Sequence, residues 1–325
     1  MQALSPLPRT RVQLYRLTTP SSDMQREIEQ GLLATPRRIH PKYFYDERGS
    51  LLFDQITEQL EYYATRAETE ILRRYGAAIS ARLGANAILI EPGSGTSAKA
   101  EQLLPTLQPR VYVPIDIAAI HVRDAACRIS HRFPWLDIQA LVTDICTMEQ
   151  LPDFIPAGRR VIFYPGSSIG NFEPAAAVAL LSRWREFAGT DGHLLIGVDL
   201  IKDPGILHDA YNDERGITAE FNLNILRHLN RVAAANFDLN AFRHVAFFNE
   251  PKHRVEMHLE SLCDQHVRVG SINITLRDGE RIHTENSYKY SDRSFAALAE
   301  QAGWELDCSW HDHGHFFGVL LFRAR

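Results

Sequence analysis

Cysteine is scarce in this sequence. Only four of its 325 residues are cysteine, and no two of them form a C-x-x-C pair. This spacing argues against a zinc knuckle and fits the reduced thiols of a cytoplasmic protein. No run of lysine and arginine is longer than a pair, and the formal net charge is -5. Because phosphate binding needs a concentrated basic surface, nucleic acid is not the expected partner.

Long apolar runs are also missing. None approaches the roughly 18 residues of a membrane span, and the opening stretch MQALSPLPRTRVQLYRL has no signal-peptide core. We therefore expect a cytoplasmic, monomeric protein with no membrane partner and no bound metal.

From residue 87 onwards, short apolar runs alternate with helix-like segments. The runs are rich in Val, Ile and Leu on both faces, which is typical of parallel strands covered by helices. The predicted strands are residues 87–95, 110–117, 138–145, 159–166 and 193–200, and the predicted helices between them are 97–107, 118–133 and 174–188. This alternation predicts an α/β fold with a doubly wound parallel sheet.

The end of the chain has a different pattern. A helix over 294–303 is followed by strands over 304–312 and 315–324, which predicts a terminal antiparallel hairpin. A helix and hairpin after five parallel strands resemble the ending of class I, Rossmann-like S-adenosylmethionine-dependent methyltransferases. We predict a methyltransferase domain over residues 66–202 and 291–325. A second α+β domain, expected to bind the substrate, is predicted over 20–65 and 203–290.

Three strand ends carry polar or glycine residues. Gly93 and Gly95 follow the first strand, Asp116 ends the second, and Asp144 ends the third. Glycines let a ligand approach the backbone, and the acids fit a ribose diol and an adenine amino group. A single acid at a strand end is more often a helix N-cap. Three such features at consecutive strand ends favour a nucleotide-like ligand.

Six stretches carry a resemblance to a known family. They are KYFYDERGSLLFDQITEQLEYYATRAE (42–68), IEPGSGTSAKAEQLL (90–104), FYPGSSIGNF (163–172), DLIKDPGILHDAYNDERGITAEFNLNIL (199–226), RVEMHLES (254–261) and TENSYKY (284–290). Together they resemble the histidine-specific methyltransferase family, the enzymes that make hercynine (Nα-trimethylhistidine) for ergothioneine biosynthesis. The resemblance implies S-adenosylmethionine as methyl donor. It implies L-histidine and its mono- and dimethylated forms as acceptors.

The resemblance also implies roles for individual residues. Asn171 and Tyr211 would hold the carboxylate and amine of the substrate, and Tyr62 would lie near the amine. Glu285 and Ser287 would bind the imidazole ring. Tyr45 and Phe53 would line the same pocket, with Met257 beside the ring, and Tyr45, Tyr62 or a water would help to remove protons. The residues implied for the methyl donor are Gly93, Gly95, Lys99, Asp116, Asp144 and Ile145.

The residue types agree with these roles. Glu285 and Ser287 are two positions apart on a predicted strand, so they face the same side. A buried carboxylate needs a donor, which an imidazole N–H supplies and a phenyl ring does not. A substrate without that donor would be strongly rejected.

Simpler interpretations stay open. Tyr45, Tyr62, Tyr63 and Met257 fit core residues, and Asn171 fits a helix N-cap. Glu285 fits a surface strand residue in a salt bridge, and the stretch RAETE (66–70) is typical of a solvated helix face. Other functions also remain: methylation of another aromatic amino acid such as tryptophan, a nicotinamide-dependent oxidoreductase, or a module that binds S-adenosylmethionine without turnover. The histidines of WHDHGH (310–315) resemble a metal cluster, but they fall in a tight predicted turn.

Overall fold

A computed structural model describes residues 2–3, 11–17 and 21–325. The strands in these residues are β1 (Gln2–Ala3), β2 (Val12–Arg16), β3 (Ile88–Pro92), β4 (Val111–Asp116), β5 (Asp137–Val142), β6 (Arg160–Tyr164), β7 (His193–Asp199), β8 (Phe242–Asn249), β9 (Arg254–Ser261), β10 (Gln265–Val269), β11 (Ile272–Leu276), β12 (Arg281–Tyr288), β13 (Trp304–His311) and β14 (Phe317–Ala324). The α-helices are α1 (Ser21–Leu33), α2 (Glu47–Thr57), α3 (Ala64–Leu83), α4 (Ala100–Leu107), α5 (Ala119–Arg132), α6 (Pro174–Ala188), α7 (Pro204–Tyr211), α8 (Ile217–Val232) and α9 (Asp292–Gln301).

The chain divides into two compact units. The first comprises Met1–Thr19, Ala64–Leu200 and Tyr290–Arg325, and the second comprises Pro20–Tyr63 and Ile201–Lys289. Each unit is therefore assembled from separate stretches of sequence. The assignment of a methyltransferase role to one and a substrate-binding role to the other remains a prediction.

The first unit contains a nine-stranded sheet in the order β1-β2-β5-β4-β3-β6-β7-β14-β13. The strands from β2 to β7 pair in parallel, whereas β14 and β13 pair antiparallel at one edge. The central strands are buried along almost their whole length, as expected for a sheet with helices on both faces. The predicted doubly wound sheet with a terminal hairpin is confirmed.

The first unit differs from the sequence prediction in its earliest strands and in the start of one helix. Strand β2 was not predicted, because VQLYR is short and mixed in polarity and buries only Val12 fully. It nevertheless pairs in parallel with β5, with Val12 opposite Ile138. Helix α4 begins at Ala100 and not at residue 97, because Ser97 has a positive φ of 56°, which a helix does not accommodate.

The second unit contains a three-stranded antiparallel sheet, β12-β9-β8, and the separate hairpin β10-β11. Its hydrophobic core combines residues from α1, α2 and α8 with residues from both sheets, including Leu32, Leu229 and Leu259, which are fully buried. Helix α8 is tied to the start of α2, since the Asn224 side-chain amide donates to Asp46 at 2.8 Å. Asp46 also caps α2 by accepting from the backbone N–H of Gly49.

Among the helices in the described part of the chain, none has both the length and the apolar character needed to cross a membrane.

Candidate active site

The glycine-containing turn after β3 is held in place by Asp116 at the end of β4. One carboxylate oxygen of Asp116 accepts from the backbone N–H of Gly95 at 2.8 Å, and the other accepts from that of Ala118 at 2.9 Å. Gly93 and Gly95 have positive φ angles of 65° and 50°, a conformation that glycine adopts without strain. Burial raises the pKa of Asp116, although these backbone donors oppose the rise. Asp116 thus fixes the turn that the sequence predicts to meet the methyl donor.

Asp144 lies just past the end of the neighbouring strand β5. Its side chain is buried and accepts from the backbone N–H of Cys146 at 2.8 Å, and Ile145 between them is half-buried. Strands β3, β4 and β5 are adjacent in the sheet, so Gly93, Asp116 and Asp144 lie at the carboxyl ends of neighbouring strands. In open α/β sheets this edge is where ligands bind.

The turn after β3 fits a polar ligand. The hydroxyl of Ser94 is buried, and no other described residue forms a hydrogen bond with it. A side chain added at Gly95 would meet no atom within 4 Å, so the backbone is open to a ligand there. Buried hydroxyls normally have a partner, and a ligand with hydroxyl and amino groups would supply one.

Glu68 in α3 connects two loops of the first unit. It is fully buried, forms an ion pair with Lys99, and both its oxygens lie 3.0 Å from the backbone N–H of Gly166. The interpretation of residues 66–70 as a solvated face is therefore wrong at Glu68, because its carboxylate is neutralised and hydrogen-bonded inside the fold. Lys99, predicted to lie near the methyl donor, directs its ammonium to this carboxylate.

We expect Glu68→Gln to lower the free energy of unfolding by about 2–3 kcal/mol, because it leaves the mostly buried Lys99 ammonium without its counter-charge. Urea unfolding monitored by circular dichroism measures this. The double variant Glu68→Gln with Lys99→Met should lose less stability than the sum of the single variants. Glu70→Gln, an exposed position of the same helix, is the matched control and should change stability by less than about 0.5 kcal/mol. Additive losses would contradict a coupled pair.

Asn171 lies in the loop after β6, in the first unit. It ends a short 3-10 helix over Ser168–Asn171 and is half-buried. The loop is anchored at Gly166 by Glu68 and at Ser167, whose hydroxyl accepts from the backbone N–H of Asp199 at 2.8 Å. The backbone that carries Asn171 is therefore rigidly held. Tyr211 belongs to the second unit, so the joint role of Asn171 and Tyr211 remains a prediction.

Aromatic residues of the second unit form a cluster. The ring centroid of Phe53 lies 5.8 Å from that of Tyr45 and 6.4 Å from that of Tyr62, both edge-to-face. Phe221 from α8 joins them at 6.0 Å from Phe53 and 5.8 Å from Tyr45. The structure thus brings together three of the predicted pocket residues. Phe221 was missed, although it lies within the quoted stretch 199–226.

Glu285, Ser287 and Lys289 lie at alternate positions on and just after β12. All three are buried. The Lys289 ammonium lies 2.7 Å from the Ser287 hydroxyl oxygen and 3.2 Å from the hydroxyl oxygen of Tyr211. We call Tyr211, Glu285, Ser287 and Lys289 the acceptor cluster. The sequence predicted three of its members and missed Lys289.

Two features fix the geometry of the acceptor cluster. A β-bulge between His283 and Glu285 shifts the register so that Glu285 pairs with Met257 of β9. Tyr211 is the last residue of α7, and its carbonyl lies 3.0 Å from a ring nitrogen of His244. Bulges commonly redirect a side chain at functional positions.

The electrostatics of the cluster are dominated by burial. Burial raises the pKa of Glu285 to about 8, and the positive charge of Lys289 opposes the rise only in part. When it is ionised, such a buried carboxylate needs a partner that donates a hydrogen bond.

Met257 is 2% exposed and belongs to the hydrophobic core of the second unit. Tyr45, Phe53, Tyr62 and Tyr211 pack against that same core. Met257 is therefore both a core residue and the cross-strand neighbour of Glu285, and its contact with a substrate ring remains a prediction.

Two groups of side chains contain histidines at positions that could suit a metal ion. In the described residues, possible ligand atoms of Glu256, His258 and His283 lie within 4.8 Å of one another. Glu256 is already paired with Arg254 at 2.8 Å, so its charge is balanced without a cation. In the 310–315 turn, Asp312 accepts from the backbone N–H groups of residues 314, 316 and 317. In this second group, the carboxylate of Asp312 already serves to form the turn.

The chain is similar over most of its length to known methyltransferases. The profile of a family described as histidine-specific methyltransferase, SAM-dependent, matches residues 24–324. The chain is 40% identical over 304 residues to histidine N-alpha-methyltransferase of Mycolicibacterium smegmatis, covering 92% of this chain and 94% of that protein. The corresponding enzyme of Mycobacterium tuberculosis is 38% identical over 304 residues, with the same coverage. A solved structure of a possible exported protein from Bordetella parapertussis aligns with a TM-score of 0.51 at 12% identity, covering 94% of this chain and 95% of that one, which is a likeness in fold alone.

Proposed function

The chain belongs to the histidine-specific, S-adenosylmethionine-dependent methyltransferase family, and from this premise we propose that it methylates the α-amine of L-histidine three times. The product would be hercynine, and the reaction would be the first step of ergothioneine biosynthesis. A relative named ergothioneine biosynthesis protein 1, from Neurospora crassa, supports this context at 30% identity over 311 residues, covering 89% of this chain and 34% of that protein.

The observation that carries the proposal is the acceptor cluster. Glu285 and Ser287 lie buried side by side on β12, and a carboxyl and a hydroxyl group at this spacing suit the two nitrogens of one imidazole ring. Indole has a single N–H and no second ring nitrogen, so tryptophan could hydrogen-bond to only one of these two groups. This favours histidine over the alternative aromatic substrate.

The first unit supplies groups suited to the methyl donor. The carboxyl of Asp116 would hold the ribose diol, Asp144 and Ile145 the adenine, and the turn at Gly93 and Gly95 the amino-acid end. S-adenosylmethionine would supply a methyl group bound to a sulfonium: the amine nitrogen would bond to the methyl carbon as the carbon–sulfur bond breaks, S-adenosylhomocysteine would leave, and the amine would lose a proton. The family match leaves the nicotinamide-dependent alternative without support.

The residues that face the amine act by positioning. An amine must be neutral to be methylated, and its reference pKa of about 8 leaves a substantial neutral fraction near neutral pH. Tyr211 and Asn171 would hold the carboxylate and amine, while Tyr45 and Tyr62 would orient the amine and assist proton removal. Orientation alone can account for most of such a rate enhancement. Further methylation needs only a pocket with room for a substituted amine.

Mass spectrometry of L-histidine incubated with the purified protein and S-adenosylmethionine tests the proposal, with L-tryptophan and N,N-dimethylhistidine in parallel. We expect the trimethylated betaine from histidine and from dimethylhistidine, and no product from tryptophan. Product limited to monomethylhistidine would contradict the threefold transfer, and methylation of tryptophan in place of histidine would overturn the substrate. A cytoplasmic location and a monomeric state remain predictions from the sequence.

A further inference from the structure

Lys289 is a buried cation that the residue assignments above leave without a role. It follows the last residue of β12, and only 2% of it is exposed. Its backbone N–H continues the strand pairing by donating to the carbonyl of His253 at 2.7 Å. Because burying an ammonium is costly unless hydrogen bonds compensate, its contacts indicate what it does.

Its ammonium contacts two residues of the acceptor cluster. The ammonium lies 2.7 Å from the Ser287 hydroxyl oxygen and 3.2 Å from that of Tyr211, and it also lies 5.1 Å from the centroid of the Tyr211 ring. An ammonium group has donors and no acceptor. Both hydroxyl oxygens must therefore accept from Lys289.

This fixes the direction in which the hydroxyl protons point. A hydroxyl group has one proton, and when its oxygen accepts from Lys289 the proton turns away from the ammonium towards another acceptor. For Ser287, two positions from Glu285 on the same face of β12, the ring of the substrate would provide that acceptor. Glu285 in turn takes a ring N–H. A neutral imidazole offers both at once, since it carries one N–H and one bare nitrogen.

We propose that Lys289 is a positioning residue that orients the hydroxyl protons of Ser287 and Tyr211, so that the acceptor cluster binds histidine with a neutral imidazole ring and an ionised carboxylate. This inference rests on the proposed function and deepens it, because it names the form of the substrate that the site selects. The positive charge of Lys289 acts in the same direction. It disfavours a second positive charge on the ring and favours the negative carboxylate near Tyr211.

The test is a double-variant cycle on Lys289 and Ser287, read as kcat and KM for L-histidine. Lys289→Met should raise KM by about 10- to 100-fold, with a smaller change in kcat. Because Lys289 acts through Ser287, the variant Ser287→Ala combined with Lys289→Met should be little worse than Ser287→Ala alone. Affinity for S-adenosylhomocysteine, measured by calorimetry, should not change in any of the three variants.

Substrate analogues separate this role from a merely structural one. The two isomers of pyrrolylalanine keep a ring N–H but lack the bare nitrogen that Ser287 would donate to. Lys289→Met should therefore lower kcat/KM for histidine far more than kcat/KM for either pyrrolylalanine isomer that the protein methylates. Lys289→Gln keeps a hydrogen-bond donor without the charge and should recover part of the affinity for histidine. The same comparison can be made with this variant if Lys289→Met folds poorly.

Lys202→Met is the matched control. The Lys202 ammonium donates to the Tyr63 hydroxyl at 2.7 Å and lies 4.4 Å from the centroid of that ring, so the variant removes a lysine–tyrosine contact of the same kind. It should leave KM for histidine unchanged. If the unaltered protein methylates histidine while Lys289→Met keeps its KM, or if the losses in the cycle are additive, the inference fails and the proposed function stands. If the unaltered protein does not act on histidine, both fail.

Discussion

Glu285→Ala is expected to lower kcat/KM for L-histidine about 100-fold, almost wholly through KM. The carboxyl group of Glu285 is buried on β12 beside Ser287, where it can accept the imidazole N–H. Removing it leaves that N–H without an acceptor among buried side chains, which costs more than the loss of an exposed hydrogen bond. Initial rates of methyl transfer at varied histidine concentration measure the change.

The same variant should lose its discrimination against rings without an N–H. A phenyl ring gains nothing from Glu285, so the ratio of kcat/KM for histidine to that for phenylalanine should fall as steeply as the value for histidine itself. Glu250→Gln, in the exposed turn between β8 and β9, is the control and should change neither value. An unchanged ratio in Glu285→Ala would mean that another group distinguishes the imidazole ring from the phenyl ring.

The parallel sheet could be predicted because its signal is strong. A run such as HLLIGVD in β7 is apolar on both faces, and only a strand covered on both sides requires that pattern. Strand β2 has no such signal. Only Val12 of its five residues is fully buried, and its pairing with β5 depends on a partner more than 120 residues away in the sequence. Local pattern carries no information on such a partner.

The candidate site was predictable where the function itself dictates the residue type. Glu285 and Ser287 are named by the resemblance because they would touch the substrate. Glu68 and Lys289 act through other protein groups, and their identity follows from burial and pairing in the folded chain. The sequence marks neither residue as buried. Glu68 lies in the charged stretch RAETE, and Lys289 lies between two tyrosines with no acidic residue beside it. Only the packed structure shows that each is a buried ion.

The β-bulge before Glu285 is a further feature that local pattern does not reveal. Strict alternation over RIHTENSY puts Glu285 on one face of β12, but the residue opposite it depends on the register with β9. The register shift between His283 and Glu285 brings Met257 opposite Glu285. A shift of one residue exchanges every pair along a strand, so this contact could not be derived from spacing alone.

The acceptor cluster should also make stability depend on pH. The ordinary pKa of Glu285 is 4.5, and burial raises it to about 8 in the folded protein despite the opposing charge of Lys289. Below pH 4.5 both the folded and unfolded states hold the proton, so Glu285 adds no pH dependence. Between 4.5 and 8 only the folded state holds it, so the free energy of unfolding falls as the pH rises. The full loss is about 5 kcal/mol once the pH exceeds 8.

Glu285→Gln should therefore be as stable as the unaltered protein at about pH 5 and several kcal/mol more stable at about pH 9. Urea unfolding at the two pH values measures the difference.

Glu256→Gln is the contrasting control: burial alone would raise the pKa of Glu256, but hydrogen bonds from Arg254 and His258 lower it to about 2. Its contribution is complete above pH 4.5, so that variant should be equally destabilised at both pH values. Equal pH profiles for Glu285→Gln and the unaltered protein would mean that Glu285 keeps an ordinary pKa. At about pH 9, added L-histidine should raise the free energy of unfolding of the unaltered protein more than that of the Gln variant. The reason is that a ring N–H gives the buried carboxylate the donor it needs.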